Sequence, residues 1–288
     1  MNKNLLSLYG LKWNPFAPDL PVEALLVSPQ LDSFGWRIEH AHVREGGFAL
    51  ITGEPGTGKS VALRVLAERL AGVRDVTVGV LTHPQSNLAD FYREMGEIFG
   101  VPLKPHNRWV GFKALRERWL AHLDTTLLRP VLLIDEAQEM TPAVLSELRC
   151  LSSTRFDSRT ILSVVLAGDR RLTDMLRRED LLPLGSRIRT RLVLECASRE
   201  QLLACLRHLL ASAGNSKLMT AELMATLCDH ALGTFRVMTT MASELLAAAA
   251  QRELPQLDEK LYFELFAAPR SAAAASAPAR PASPRRSR

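Results

Sequence analysis

The stretch ITGEPGTGKSVALRVL, residues 51–66, constrains the fold of this chain more than any other. It joins an apolar run to an amphipathic one through a loop of three glycines that ends in Lys-Ser. Within it GEPGTGKS satisfies the phosphate-loop spacing GxxxxGK[ST], directly after a strand signal and directly before a helix signal. Gly53, Gly56 and Gly58 open backbone conformations that a Cβ disfavours, so consecutive N–H groups can turn inward as an anion nest. The helix that follows adds the positive end of its dipole. The expected phosphate-binding set is therefore Gly53, Glu54, Pro55, Gly56, Thr57, Gly58, Lys59, Ser60 and Val61. In it Lys59 reaches the β- and γ-phosphates of ATP, and the Ser60 hydroxyl ligates Mg²⁺.

A loop of this kind needs a buried parallel sheet behind it, and the chain supplies the strands. GFALIT (47–52), VTVGVLT (76–82), VLLID (131–135), ILSVVLAG (161–168) and RLVLE (191–195) are short apolar runs with little alternation, as suits strands covered on both faces. Helical patterns lie between them, with Val61, Val65, Leu66 and Leu70 on one face after Ser60, and Val144, Leu145, Leu148 and Leu151 on one face after Pro142. The alternation predicts an α/β fold, a three-layer parallel-sheet domain over residues 46–197 behind an N-terminal segment, 1–45. From Ser198 the strand signal stops. SREQLLACLRHLLASAG opens with a Ser-x-x-Gln capping box and ends at Gly214, and further helical segments predict a small helical domain over 198–267.

The second half of the chemistry is VLLIDEAQ. Asp135, at a strand end, is placed to hold the Mg²⁺ shell, and Glu136 to polarise a water for attack on the γ-phosphate. The pair argues for hydrolysis over binding alone. Three further residues acquire meaning from it. Asp169, in VVLAGDR, either orients the attacking water or makes an ordinary strand-to-loop turn. Arg187, in LPLGSRIRTR, with Arg189 as its rival, either extends to a neighbouring subunit's γ-phosphate or belongs to a solvated basic loop. Arg236, in LGTFRVM, stands near the start of a lid helix, either reporting on the γ-phosphate or as a surface arginine.

Composition narrows the setting. Cys150, Cys196, Cys205 and Cys228 show no pairing or metal-ligand spacing, so a reduced, cytoplasmic compartment is expected. No apolar segment approaches the ~20 residues of a membrane span, so no membrane partner is expected. The net charge of +5 equals the five arginines of the Ala/Pro/Ser/Arg tail (268–288), which is expected to be disordered, either a mobile basic arm or a solvated end.

GEPGTGKS, LLIDEAQ, LAGD, SRI before the last strand and FR in a helical lid, in that order, resemble an AAA+ ATPase. The opening YGLKWNPFAPD, then VSPQ and GGFALITGEPGTGKS, resembles the ExeA-type branch, shared by general secretion pathway protein A and the ATP-binding helpers of bacterial transposons. The resemblance covers roughly residues 5–265. It implies an Mg-ATP hydrolase with Arg187 as arginine finger and Arg236 as second sensor, and it places Tyr9 to Phe16 near the adenine. Asp169 departs from the Asn, Thr or Gln usual at the first-sensor position. The resemblance further implies a homo-oligomer on double-stranded DNA that hands a target to a transposase. Lys104, Arg108, Lys113, Arg155 and Arg159 are the candidate phosphate contacts, each with a solvated surface charge as the plain alternative. The other reading is a secretion ATPase without DNA. A secretion protein of this branch would carry a membrane span and a cell-wall-binding domain after its ATPase domain, which favours the transposition helper.

Overall fold

The computed structural model describes residues 2–103 and 107–266. Lys104 and the Arg-rich stretch 268–288 lie outside the described residues. Strands β1 (Gly47–Gly53), β2 (Val78–Leu81), β3 (Val131–Ile134), β4 (Ser163–Gly168) and β5 (Ile188–Leu194) pair in parallel in the order β2-β3-β4-β1-β5. All five expected strands are present. The last starts at Ile188, three residues before its apolar run, because its backbone already pairs there with Phe48.

The helices of seven residues or more are α1 (Asn2–Tyr9), α2 (Pro29–Arg37), α3 (Lys59–Ala71), α4 (Leu88–Phe99), α5 (Arg108–Thr126), α6 (Pro142–Leu151), α7 (Arg170–Leu176), α8 (Arg199–Ala213), α9 (Ala221–His230), α10 (Phe235–Gln251) and α11 (Glu259–Phe266). Strand β1 shows how the layers form. Its side chains alternate: Phe48 and Leu50 enter a core with Phe91, Trp119 and Leu145, while Ala49 and Ile51 enter another with Leu63, Leu66 and Leu70. Each large side chain so buried contributes about 1.5–3 kcal/mol, so the sheet is fixed from both sides.

Helices α8 to α11 close a third core around Leu206, Leu223, Leu227, Leu245 and Leu261. Ser198 and Gln201 complete the capping box of α8, and Gly214 ends it in the left-handed region. The N-terminal segment has no core of its own. Tyr9, Leu11, Phe16 and Leu20 join the helical core, whereas Leu31, Phe34 and Ile38 join the sheet core. Residues between them therefore strap the two units together. Arg64 of α3 donates to the Pro18 carbonyl at 3.1 Å and to the Leu20 carbonyl.

A short hairpin, with Ser153–Thr154 paired to Arg159–Thr160, precedes β4. Arg155, Phe156 and Asp157 at its tip all have positive φ, and the Phe156 side chain is fully exposed. Among the described residues no helix is long and apolar enough to cross a membrane.

Candidate functional site

Parallel pairing lines up the C-terminal ends of the strands: Ile51 stands beside Ala167 and Leu192, and Ile134 beside Leu166. The loops leaving this edge, the N-terminal strap and the helical domain enclose a cleft of about 1700 Å³, the position where sheets of this class bind ligands. Residues 55–61 form its floor, and Glu136, Asp169 and Arg236 stand in its wall.

The floor is built for an anion. Helix α3 begins at Lys59 behind Gly58, which sits at φ +104° and brings no capping side chain, so the first-turn N–H groups are left for a ligand. Lys59 is 6% exposed and has no carboxylate partner among the described residues. Its Nζ donates only to the carbonyls of Gly53 (2.9 Å) and Glu54 (3.1 Å), which places those two residues behind the floor. A buried ammonium held by dipoles alone calls for an anionic partner. The residues thus fit a nucleotide's phosphates, and the Ser60 hydroxyl stands in the same cleft floor. Among the described residues no cluster of three or more His, Cys, Asp or Glu gathers as a resident metal centre.

Asp135 and Glu136 follow β3 directly. Asp135 is half-buried and its Oδ1 accepts from the Glu136 N–H at 2.9 Å, while Glu136, at φ +49°, projects into the cleft. Asp135 is not part of the cleft wall. Asp169 stands beside the floor as the N-cap of α7, accepting from the Arg171 N–H at 2.8 Å and pairing with its guanidinium at 2.9 Å. Burial pushes the Asp169 carboxyl up, but the Arg171 bonds and the nearby charge of Lys59 outweigh it and hold the group below its usual range. Arg171, which also pairs with Glu139 at 2.8 Å, lines the cleft and was not anticipated. The one available signal was its place two residues after an Asp at a strand end.

The lid meets the floor at Gly56. A Cβ there would lie 3.1 Å from Arg236 Cβ, and the Arg236 N–H lies 3.4 Å from the Gly56 carbonyl. Arg236 thus stands in the first turn of α10, over the phosphate loop. Of the segment expected near the adenine, Phe16 lines the cleft, whereas Tyr9 is buried in the helical core with its hydroxyl donating to the Leu254 carbonyl at 3.0 Å. Leu20, Leu25, Phe34 and Leu194 continue an apolar wall suited to a flat base.

Arg187 and Arg189 lie elsewhere. They stand at the N-terminal end of β5 and do not line the cleft, which the strand reaches from Thr190 onward. Arg187 bonds Asp157 and the Pro183 carbonyl, and Arg189 pairs with Glu45 at 3.1 Å. Neither completes the site of its own chain. Of the cations considered for DNA, three carry carboxylate partners: Arg108 with the buried Glu147, Lys113 with Glu117 at 3.7 Å and Arg159 with Asp124 at 3.0 Å. Only Arg155, on the hairpin tip, has no carboxylate in reach among the described residues.

A family model described as AAA domain matches residues 42–176. General secretion pathway protein A of Aeromonas hydrophila is 30% identical over 248 residues, a match that spans 85% of this chain and 44% of that protein. The chain thus spans less than half the length of this curated relative. Among solved structures, the Aeropyrum pernix ORC2 protein in its ADPNP-ADP complexes superimposes with a TM-score of 0.69 at 15% identity, covering 88% of this chain and 71% of that one. The Aeropyrum pernix ORC1 protein in complex with DNA gives 0.61 at 17% identity, covering 88% and 68%. Likenesses at such identity show the fold alone. Family model and relative agree with the phosphate loop and the acidic strand end, and together they support an AAA+ ATPase of ExeA type.

Proposed function

We propose that the chain binds and hydrolyses Mg-ATP and works as an ATP-dependent, sequence-nonspecific DNA-binding helper of transposition, as a homo-oligomer. One observation carries the hydrolytic part: a buried, carboxylate-free Lys59, an exposed Glu136 and the lid's Arg236 converge on one cleft. Bound Mg-ATP supplies the phosphoanhydride to be cleaved and the charge-neutralising metal. Hydrolysis joins a water oxygen to the γ-phosphorus and releases ADP with the electron pair of the broken P–O bond. In this reading Glu136 orients that water and takes its proton, Lys59 and the first turn of α3 offset the phosphate charge, and Ser60 and Asp135 hold the metal.

The oligomer is supported by the place of Arg187. A guanidinium outside its own cleft, at the N-terminal end of β5, suits a group that completes a neighbour's site. The DNA part is supported by fold likeness to a protein solved with DNA and by the basic hairpin tip at Arg155. The second reading, an assembly ATPase of a secretion pathway, is favoured by the 30% identity to general secretion pathway protein A. ATP turnover of wild type and Glu136→Gln, each with and without random-sequence duplex, separates them. DNA-stimulated turnover lost in the variant is the expected result. Turnover indifferent to DNA favours the secretion reading, and no turnover in wild type overturns hydrolysis.

A further inference from the structure

Gln138 stands two residues beyond Glu136 and is only 7% exposed, yet its amide reaches two strand ends. Its Nε2 donates to Glu136 Oε2, and its Oε1 accepts from the Asp169 N–H at 3.1 Å. The partners fix which way the amide faces. A backbone N–H can only donate and an ionised carboxylate can only accept, so the carbonyl oxygen must turn to Asp169 and the NH₂ to Glu136.

A third residue bears the imprint of this bridge. A Cβ built on Gly168, the last residue of β4, would lie 2.5 Å from Gln138 Oε1 and 2.8 Å from Leu172 Cδ2. Gly168 is ordinary extended strand, so its lack of a side chain answers to space and not to backbone freedom. Strand β4 therefore ends in the one residue type that lets the Gln138 carbonyl approach the Asp169 amide. On the other side Asp135 Oδ1 holds the Glu136 N–H, so the base of Glu136 and its carboxylate are each tied down.

We propose that Gln138 is the positioning residue for Glu136, aiming its carboxylate into the cleft and joining it to the Asp169 end of β4. The proposal rests on the hydrolytic reading above. The Nε2 bond occupies one acceptor position of the carboxylate and leaves the others for water. Because the same amide holds the Asp169 N–H, a shift at the end of β4 moves the carboxylate that orients the water.

The test uses the full chain, with steady-state ATP turnover, equilibrium binding of a fluorescent ATP analogue and a melting temperature for every variant. Gln138→Leu removes both bonds. Gln138→Glu keeps the volume and the acceptor for Asp169 but loses the donor to Glu136. Gly168→Ala touches neither Glu136 nor the cleft floor and displaces the bridge. Each is expected to lower kcat by roughly 10–100-fold, the scale of a small misplacement of a reacting group, with nucleotide affinity within about twofold of wild type. In a Glu136→Gln background none should lower the residual rate further, because no aimed carboxylate is left to lose. A merely structural Gln138 would lower affinity, melting temperature and kcat together, and would act additively with Glu136→Gln; either result overturns the proposal. Should Gln138→Leu fail to fold, Gln138→Glu and Gly168→Ala decide. Wild-type turnover that disappears in Glu136→Gln but persists in the Gln138 variants overturns this proposal alone. No wild-type turnover overturns the hydrolytic reading and this one with it.

Discussion

The guanidinium of Arg187 is bonded to the carboxylate of Asp157, which lies at the tip of the hairpin before β4. Arg149 stands 3.6 Å from the same carboxylate, and the Ser153 hydroxyl donates to it. The Ser153 bond, with Arg187 and Arg149, holds the Asp157 carboxyl below its usual range in spite of partial burial. If Arg187 serves a neighbour's γ-phosphate, it must leave Asp157 to do so. Asp157→Asn should therefore lower the protein concentration at which ATP turnover is half-maximal. The shift should be about 1.5–5-fold, since an exposed ion pair is worth about 0.2–1 kcal/mol. Arg187→Ala should cost on the order of 10³ in kcat and Arg189→Ala far less. Equal losses at the two arginines would remove Arg187 from this role.

Arg108, one of the candidate phosphate contacts, is the partner of a buried acid. Glu147, 5% exposed, accepts from Arg108 Nε at 3.0 Å and from the Tyr92 hydroxyl. Burial would raise the Glu147 carboxyl, but these bonds outweigh it and hold it below the ordinary 4.5. A lowered carboxyl contributes stability that is present above its unfolded value and lost as pH falls through the folded one. Arg108→Ala should cost about 1.5–3 kcal/mol at neutral pH. The gap in melting temperature between wild type and variant should narrow as pH drops below 4.5. Affinity for duplex DNA should hardly change. A large loss of DNA affinity with unchanged stability would restore Arg108 to the interface.

These two residues also mark where the sequence was readable. The five strands, the phosphate loop and the acidic end of β3 follow from contiguous residues whose chemistry depends on spacing along a single turn. The capping box from Ser198 to Gln201 was legible for the same reason. Long-range partners were not. Nothing near Arg108 announces Glu147, and the Tyr9 hydroxyl finds the Leu254 carbonyl 245 residues away. Tyr9 and Phe16 read alike as aromatics beside the site, yet one closes the helical core and only the other reaches the cleft. Gln138 was visible in DEAQ, but its meaning depends on the Asp169 N–H arriving from a different strand.

Contact between lid and phosphate loop should be sensitive to one methyl group. At φ +84° an alanine at position 56 meets a backbone penalty of about 1–2 kcal/mol. Its Cβ would also press on Arg236 Cβ at 3.1 Å and Thr234 Cβ at 3.4 Å. Gly56→Ala should weaken binding of a fluorescent ATP analogue by roughly tenfold or more, the equivalent of about 1.4 kcal/mol. Arg236→Ala removes an exposed side chain and should weaken binding with little change in melting temperature. If Gly56→Ala binds as wild type does, the lid does not close on the loop in the manner described.

Arg64 lies one helical turn after Ser60 on α3, so its guanidinium connects the phosphate-binding helix to the strap across the cleft. It reaches the carbonyls of Pro18 and Leu20, while Phe16 and Leu20 on the same strap are buried among helical-domain side chains. A ligand that settles on α3 is thereby linked to the helical domain through backbone, without passing through Arg236. Arg64→Met keeps the apolar stem and deletes the charged donor, removing hydrogen bonds worth about 1.5–3 kcal/mol each before solvent replaces them. Nucleotide affinity should fall about tenfold, with kcat at saturating ATP within about twofold, because no group that touches the reacting atoms has moved. Amide hydrogen exchange over residues 16–25 should quicken in the same variant, since the strap then keeps only its apolar anchors. A fall in kcat at unchanged affinity would place Arg64 in the chemistry and remove it from the strap.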